Sequence, residues 1–211
     1  VTVQQAIDVA VQHHTAGRLS EAESIYQQIL QSDPNQPTAL HLLGVIAHQV
    51  GKNDKAVDLI TRALAIKPDF AEAHSNLSNA LRALGRLDEA VTHCKKALSL
   101  NPVFADAHNN LGNALTGLGK MGEAANSYRN ALDLKPDFAE AHNNLGAALK
   151  DLDQLEEAVA SYRKALDLRP GYPDAHYNFG NTLRDLGRLE EAVASYHKAL
   201  AIKPDSVETH S

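Results

Sequence analysis

The sequence lacks several features that would assign it to common classes of protein. It has no tryptophan and one cysteine, Cys94, so no disulfide can form within the chain. Stability must therefore come from packing, which fits a reducing compartment, and we expect a cytoplasmic location. No segment approaches the roughly 18 to 20 consecutive apolar residues that a membrane-spanning helix needs, and the first thirty residues lack the pattern of a secretory signal. We therefore expect no membrane insertion.

An excess of positive charge is also missing. The 20 lysine and arginine residues are outnumbered by 26 aspartate and glutamate residues, and the net charge is -6. A protein that binds nucleic acid needs a basic surface to neutralise phosphate groups. Nucleic acid is therefore not an expected partner.

What the sequence does contain is a repeat with a period of 34 residues. An alanine recurs at this spacing from Ala22 to Ala192, and a proline recurs at Pro34, Pro68, Pro102, Pro136, Pro170 and Pro204. We divide the chain into six copies, residues 3–36, 37–70, 71–104, 105–138, 139–172 and 173–206. Residues 207–211 match the start of a truncated seventh copy, so we expect the natural protein to continue.

Each copy has the pattern of two amphipathic helices. In the fifth copy the first helix is indicated by a stripe of residues at i, i+3, i+4 and i+7, the spacing of one helical face. The second helix ends before Pro170, because proline cannot continue a helix. The first stripe consists of His142, Leu145, Gly146 and Leu149. A glycine such as Gly85 separates the two helices, and Asp153 takes its place in the fifth copy.

Small residues also recur on the first helix, where they allow the second helix to approach closely. They are Gly44, Ser78, Gly112, Gly146 and Gly180. A hairpin of this size cannot bury its own apolar stripe, so each copy must pack on its neighbours. We predict an all-α, right-handed solenoid of six stacked helix-turn-helix repeats.

This pattern resembles the tetratricopeptide repeat, whose signature places a bulky residue, Leu, Gly, a large residue, Ala, an aromatic residue, Ala and Pro at set offsets. The departures are regular. Histidine stands where the family often has tryptophan, and Ile60 and Cys94 replace the aromatic residue. The histidines are His74, His108, His142 and His176, and the retained aromatic residues are Tyr26, Tyr128, Tyr162 and Tyr196. The resemblance implies a protein-interaction scaffold whose first helices line a concave surface.

Asparagines recur on the exposed side of these first helices. We call the row at position six of four successive copies the asparagine ladder, and it consists of Asn76, Asn110, Asn144 and Asn178. Further amides flank the ladder at Asn79, Asn113 and Asn181 and at Asn109 and Asn143. An amide offers a donor and an acceptor, as a peptide backbone does. We expect all nine residues to bind an extended peptide or partner protein, without needing the asparagines for stacking.

The asparagine ladder is similar to one in the O-linked N-acetylglucosaminyltransferases, which hold substrate peptides with it. The resemblance implies an alternative, that the chain is the substrate-recruiting arm of a larger transferase whose catalytic domain is absent here. Another branch of the tetratricopeptide family binds carboxyl-terminal carboxylates through cations at positions two and six. Those positions hold Glu72 and Asn76 in the third copy, which argues against that use.

No spacing indicates a reaction centre. The four recurring histidines should lie on the buried stripe, one repeat apart, which is too far to share a metal whose bonds to nitrogen are about 2.0 to 2.1 Å long. No His-Asp-Ser or His-Cys arrangement is implied by any spacing. We expect no catalytic residue, no metal and no cofactor, and Cys94 should be a buried apolar side chain. We also expect Phe179, Leu183 and Val193 to lie partly uncovered in the last repeat and to allow self-association.

Overall fold

A computed structural model describes residues 2–203. Residues 204–211, including the expected start of a seventh repeat, lie outside the described residues. Within 2–203 the chain forms twelve α-helices and no strand. They are α1 (Val3–Thr15), α2 (Leu19–Ser32), α3 (Pro37–Gln49), α4 (Asn53–Ile66), α5 (Ala71–Ala83), α6 (Leu87–Leu100), α7 (Ala105–Gly117), α8 (Met121–Leu134), α9 (Ala139–Asp151), α10 (Leu155–Leu168), α11 (Pro173–Asp185) and α12 (Leu189–Ile202).

The helices are arranged in two compact units. The first unit, Val1–Pro102, contains α1 to α6, and the second unit, Val103–Ser211, contains α7 to α12. In each unit consecutive helices pair as three hairpins, and each hairpin packs against the next within that unit. The twelve helices equal six helix-turn-helix repeats, which confirms the predicted all-α solenoid. The six residue ranges stay our proposed division of the chain.

The two helices of a hairpin approach closely where the first helix has a small residue. A Cβ atom built on Gly146 would lie 2.8 Å from Cε1 of Tyr162, and one on Gly180 would lie 2.5 Å from Cε1 of Tyr196. Only hydrogen fits in these contacts. The third repeat has a different pair, in which Ser78 hydrogen-bonds to the smaller Cys94 and both side chains are buried. The predicted role of the small residues is confirmed.

The turn inside each hairpin requires a left-handed backbone. Gly85 adopts φ 73°, and Asp153 adopts φ 60° in the fifth repeat. A side chain at such a position is strained because its Cβ atom crowds the carbonyl oxygen. Asp153 therefore takes the role of glycine at some conformational cost.

The recurring histidines fasten the turn between repeats to the helix that follows. The Nε2 atom of His74 lies 3.1 Å from the carbonyl oxygen of Pro68, and equivalent contacts of 2.9 Å join His142 to Pro136 and His176 to Pro170. A carbonyl oxygen can only accept, so Nε2 carries the hydrogen in each ring. Two of the four rings, those of His108 and His142, are only partly buried, which corrects the expectation that all four lie on a buried stripe.

The predicted uncovered edge of the last repeat is partly wrong. Leu183 is fully buried because it packs against Val159 and Ala192, with Phe179 partly buried beside them. Val193, in contrast, is 53% exposed, whereas its equivalent one repeat earlier, Val159, is 2% exposed. The exposed apolar surface is therefore carried by α12.

Candidate functional site

An open groove of about 880 Å³ lies in the second unit and contains four of the predicted site residues, Asn143, Asn144, Asn178 and Asn181. The first helices α9 and α11 contribute most of its lining, and α12 with the capping residues Tyr172 and Lys203 contributes the rest. The other lining residues are Glu140, Tyr172, Pro173, Asp174, Tyr177, Arg184, Tyr196, Ala199, Leu200 and Lys203.

The amides of the asparagine ladder also connect neighbouring repeats. Nδ2 of Asn178 donates to Oδ1 of Asn143 over 3.3 Å, and Nδ2 of Asn144 donates to Oδ1 of Asn109 over 3.2 Å. In the first unit, Nδ2 of Asn76 lies 2.8 Å from Nε2 of His41. Each donor is at position six, and its acceptor is at position five of the preceding repeat, 35 residues earlier. This corrects the expectation that the ladder asparagines have no part in stacking.

The flanking amides are held by tyrosines of the second helix. The hydroxyl of Tyr128 donates to Oδ1 of Asn113, and that of Tyr196 donates to Oδ1 of Asn181, both over 2.9 Å. Sequence reasoning missed these partners, although a tyrosine follows each of the two asparagines after 15 residues.

Burial separates the nine predicted residues into two groups. Asn109 and Asn143 are 3% and 7% exposed, and their hydrogen bonds lie within the stack: Oδ1 of each accepts from a ladder asparagine, and Nδ2 of Asn143 also donates to Asn144. The remaining seven are partly exposed, namely Asn76, Asn79, Asn110, Asn113, Asn144, Asn178 and Asn181. An amide has two donor hydrogens and an oxygen with two lone pairs, so Asn178 and Asn181 keep capacity for a ligand. Asn144 donates from Nδ2 to both Asn109 and Asn113 and accepts from Asn143, so its remaining capacity is one lone pair of Oδ1.

Aromatic surface and charge of both signs surround the amides of the groove. Tyr177 is 50% exposed, and its ring lies 6.0 Å from that of Tyr196. Asp185 accepts from Lys150 at 3.1 Å and from Arg184 at 3.0 Å, and these contacts lower the pKa of its carboxyl group. Arg184 itself lines the groove, so its guanidinium group offers a cationic contact to a ligand.

Acidic residues in the first turns of α9 and α11 lie at this groove. Glu140 and Asp174 belong to the lining together with Arg184 and Lys203. The groove therefore combines two acidic and two basic side chains. It is not a site for a ligand of a single charge sign.

Metal binding and thiol reactivity both depend on the ionisable residues. Among residues 2–203, no group of three or more His, Cys, Asp and Glu side chains is placed to hold a metal ion. Burial raises the pKa of Cys94 to about 11, so this thiol stays protonated and unreactive at neutral pH. In the described part of the chain, no helix combines the length and apolarity needed to cross a bilayer.

The fold defines a class of protein, the solenoids built from stacked helical hairpins. A sequence profile described as "TPR repeat" matches residues 78–119, 112–153, 148–183 and 180–211, and one described as "Tetratricopeptide repeat" matches 13–80. The chain belongs to the tetratricopeptide repeat family. No curated protein sequence matches it.

Solved structures of other proteins share this fold. The APC/C hetero-tetramer Cut9–Hcn1 is similar with a TM-score of 0.90 at 21% identity, over 98% of this chain and 41% of that chain. YrrB, described as a TPR protein with an unusual peptide-binding site, has a TM-score of 0.64 at 23% identity, over 86% and 93%. TTC0263, a thermophilic TPR protein of Thermus thermophilus, has a TM-score of 0.73 at 27% identity, over 87% and 100%. The chain thus spans less than half of the Cut9–Hcn1 chain that it matches.

Tetratricopeptide repeat proteins generally mediate interactions with proteins or peptides. The scaffold fold is typical of interaction proteins that are not enzymes.

Proposed function

We propose that the groove of the second unit binds a peptide in extended conformation through hydrogen bonds from the asparagine amides to the peptide backbone. The observation that carries the proposal is the convergence of the partly exposed Asn144, Asn178 and Asn181 on one open groove, with the buried Asn143 beneath them as an internal partner. Backbone N–H and C=O groups match the donor and acceptor of an amide, whatever side chains the peptide has.

The hydrogen bonds between repeats support this proposal. The bond from Asn178 to Asn143 fixes the direction of both amides before a ligand arrives. A side chain that is already ordered loses less conformational entropy on binding. The amides are therefore preorganised for a ligand.

The exposed ring of Tyr177 and the guanidinium group of Arg184 supply the remaining contact surface. Tyrosine and arginine are the side chains that most often dominate binding energy at interfaces. We expect the amides to position the peptide backbone, and these two side chains to favour peptides with an aromatic or acidic residue nearby.

The test is a selection of binders from a randomised 12-residue peptide library displayed on phage, with the intact chain immobilised. Each selected peptide is then compared with versions in which single backbone amides are N-methylated and with versions in which single side chains are cut back to alanine. We expect methylation to weaken binding more than most side-chain truncations do. A library that yields no binder, or binders indifferent to methylation, contradicts the proposal.

A narrower hypothesis is that the chain recruits substrates for a larger transferase similar to the O-linked N-acetylglucosaminyltransferases. This hypothesis is based on the asparagine ladder, which occupies the same position in the repeats as the ladder of those transferases. A chain of that kind must bind peptides that such a transferase glycosylates, so the selected peptides should include glycosylation substrates. Selected peptides without serine or threonine would contradict it.

We further propose that the exposed face of α12 allows self-association, because Val193 and Leu189 are 53% and 58% exposed. Sedimentation at high concentration should then show a dimer that Val193→Glu removes, and a strictly monomeric wild type contradicts this. A cytoplasmic location also stays a proposal, supported by the single buried thiol of Cys94.

A further inference from the structure

The third repeat contains a pair of histidines that is independent of the groove. Nδ1 of His74 on α5 lies 2.9 Å from Nδ1 of His93 on α6, so the rings meet edge to edge, with centroids 5.1 Å apart and planes 25° apart. The residue at the place of His93 is different in the other repeats, where it is isoleucine, leucine or serine. These residues are Ile25, Leu59, Ser127, Ser161 and Ser195. The pair is therefore not part of the repeat pattern.

The contact to Pro68 fixes the proton positions in this pair. Nε2 of His74 must carry a hydrogen because it lies 3.1 Å from the carbonyl oxygen of Pro68. Nδ1 of the neutral ring then has a lone pair, so Nδ1 of His93 is the donor. Burial lowers the pKa of both rings, which keeps them neutral at pH 7.

The hydrogen bonding of His74 is like that of a histidine that binds a metal. Such a ring donates its other N–H to a carbonyl or carboxylate group, which holds the ring in position and directs its lone pair. His74 already has that support, and its lone pair is directed at a second imidazole. Imidazole nitrogens favour zinc and its neighbours among the late first-row metals.

We propose that Nδ1 of His74 and Nδ1 of His93 form a two-ligand site for a divalent cation such as Zn²⁺, with water completing the coordination. Two nitrogens on a tetrahedral zinc, with bonds of about 2.0 to 2.1 Å, lie about 3.3 Å apart, so the present 2.9 Å must increase by about 0.4 Å. The two Nδ1 atoms now point at each other, so the rings must also turn, by about 35° each, for both lone pairs to meet at the cation. His93 is only partly buried and can make this shift. The cation replaces the hydrogen between the rings, and neutral His93 moves its hydrogen from Nδ1 to Nε2, so no net proton is released.

Surrounding charges and access set the strength of the site. Glu89, one helical turn before His93, favours a cation there, whereas Arg86, which binds Glu89 at 2.7 Å, and Lys96 oppose it. Solvent reaches the pair from the side of His93, which is partly exposed, whereas His74 is 7% exposed. We expect Glu89→Gln to weaken the site and Lys96→Gln to strengthen it.

The experiment is a titration of the intact chain with ZnCl₂, followed by ¹H–¹⁵N correlation spectra of the histidine rings. The first equivalent of Zn²⁺ should shift Nδ1 of His74 and His93 before the other nine of the eleven histidines respond. His93→Ser introduces the residue found in three other repeats, so the fold is kept. Zinc affinity should fall at least tenfold in this variant. A first equivalent that goes to the adjacent His13 and His14, or a variant that binds like the wild type, overturns the proposal.

A gain-of-function variant provides the matched control. His142 in the fifth repeat has the same contact, from Nε2 to the carbonyl oxygen of Pro136, and Ser161 stands at the place of His93 in that repeat. Ser161→His should build a second pair and raise the stoichiometry by one zinc ion. If this variant keeps its helical circular dichroism and the Pro136 contact but gains no site, two facing imidazoles are insufficient and the proposal is wrong. Neither outcome depends on peptide binding.

Discussion

Asn178 and Asn143 are joined across two repeats by a hydrogen bond of 3.3 Å from Nδ2 to Oδ1, and both line the groove. One pair of side chains therefore contributes to stacking and to the proposed peptide site. The same geometry at Asn144 and Asn109 gives the second unit two such connections. A variant of the ladder must be judged on both stability and binding.

The first prediction concerns the stability contributed by the ladder. Asn178→Ala removes the bond to Asn143 and should lower the free energy of unfolding by about 0.5 to 1.5 kcal/mol. Urea denaturation followed by circular dichroism measures this change. Ser195→Ala is a control of similar size, because it removes the bond from Oγ to the carbonyl oxygen of His176 away from the groove. An unchanged midpoint for Asn178→Ala would show that the amide bond contributes nothing to stacking.

The second prediction concerns Ser78 and Cys94, which replace the glycine and tyrosine of later repeats. Cys94→Tyr alone should destabilise the chain by about 1 to 3 kcal/mol, because the Cβ atom of Ser78 occupies the space that the tyrosine ring needs. Ser78→Gly in the same chain should recover most of this loss. The coupling free energy of the double-mutant cycle is the measurement. Additive effects would mean that the two side chains do not share one space.

The third prediction uses the strained turn of the fifth repeat. Asp153→Gly should stabilise the chain by up to about 1 kcal/mol, because glycine adopts φ 60° without a steric cost. Gly85→Ala should have the opposite effect in the third repeat, since it places a Cβ atom at φ 73°. Thermal melting of the two variants should therefore shift in opposite directions. A shift of the same sign in both would contradict the role given to this turn.

The fourth prediction is a pH dependence centred on His41. Burial lowers its pKa to about 4 from the ordinary value of 6.5. As the pH falls below 6.5 the unfolded chain takes up a proton that the folded chain does not, so this contribution to stability is complete above pH 6.5 and decreases toward pH 4. The loss attributable to His41 between pH 7.5 and 5 should be about 2 kcal/mol.

His41→Asn is the matched control for this pH dependence. It places an asparagine at position five, where Asn109 already accepts from Asn144, so Asn76 keeps an acceptor. The variant should lose this part of the pH dependence and retain the part that arises from His74 and His93, whose pKa values are also lowered. Equal slopes for variant and wild type would contradict the assignment to His41.

Most of the fold could be predicted because the 34-residue period fixes which residues face the core. The contact of Gly146 with Tyr162 and the left-handed turns at Gly85 and Asp153 follow from local rules for small residues and turns. Such rules apply within one hairpin and need no knowledge of its neighbours.

The partners of the amides could not be predicted in the same way. Whether Asn178 reaches Asn143 depends on how far one repeat is rotated and shifted relative to the next, and the period does not specify that geometry. The same limit applies to the histidine pair, since His93 and His74 are on different helices 19 residues apart. The expected exposure of Leu183 was wrong because this side chain packs within the sixth repeat and against the fifth. It needs no further repeat to be buried.

The most direct test of the central claim is the affinity of one selected peptide for three forms of the chain, measured by fluorescence anisotropy with a labelled peptide. The forms are the wild type, Asn178→Ala and Ser195→Ala, of which the last two should lose similar stability. The account predicts that Asn178→Ala binds several-fold more weakly, as expected for the loss of one neutral hydrogen bond, and that Ser195→Ala binds like the wild type. Equal affinities for all three forms would contradict the claim that the asparagine ladder binds the peptide.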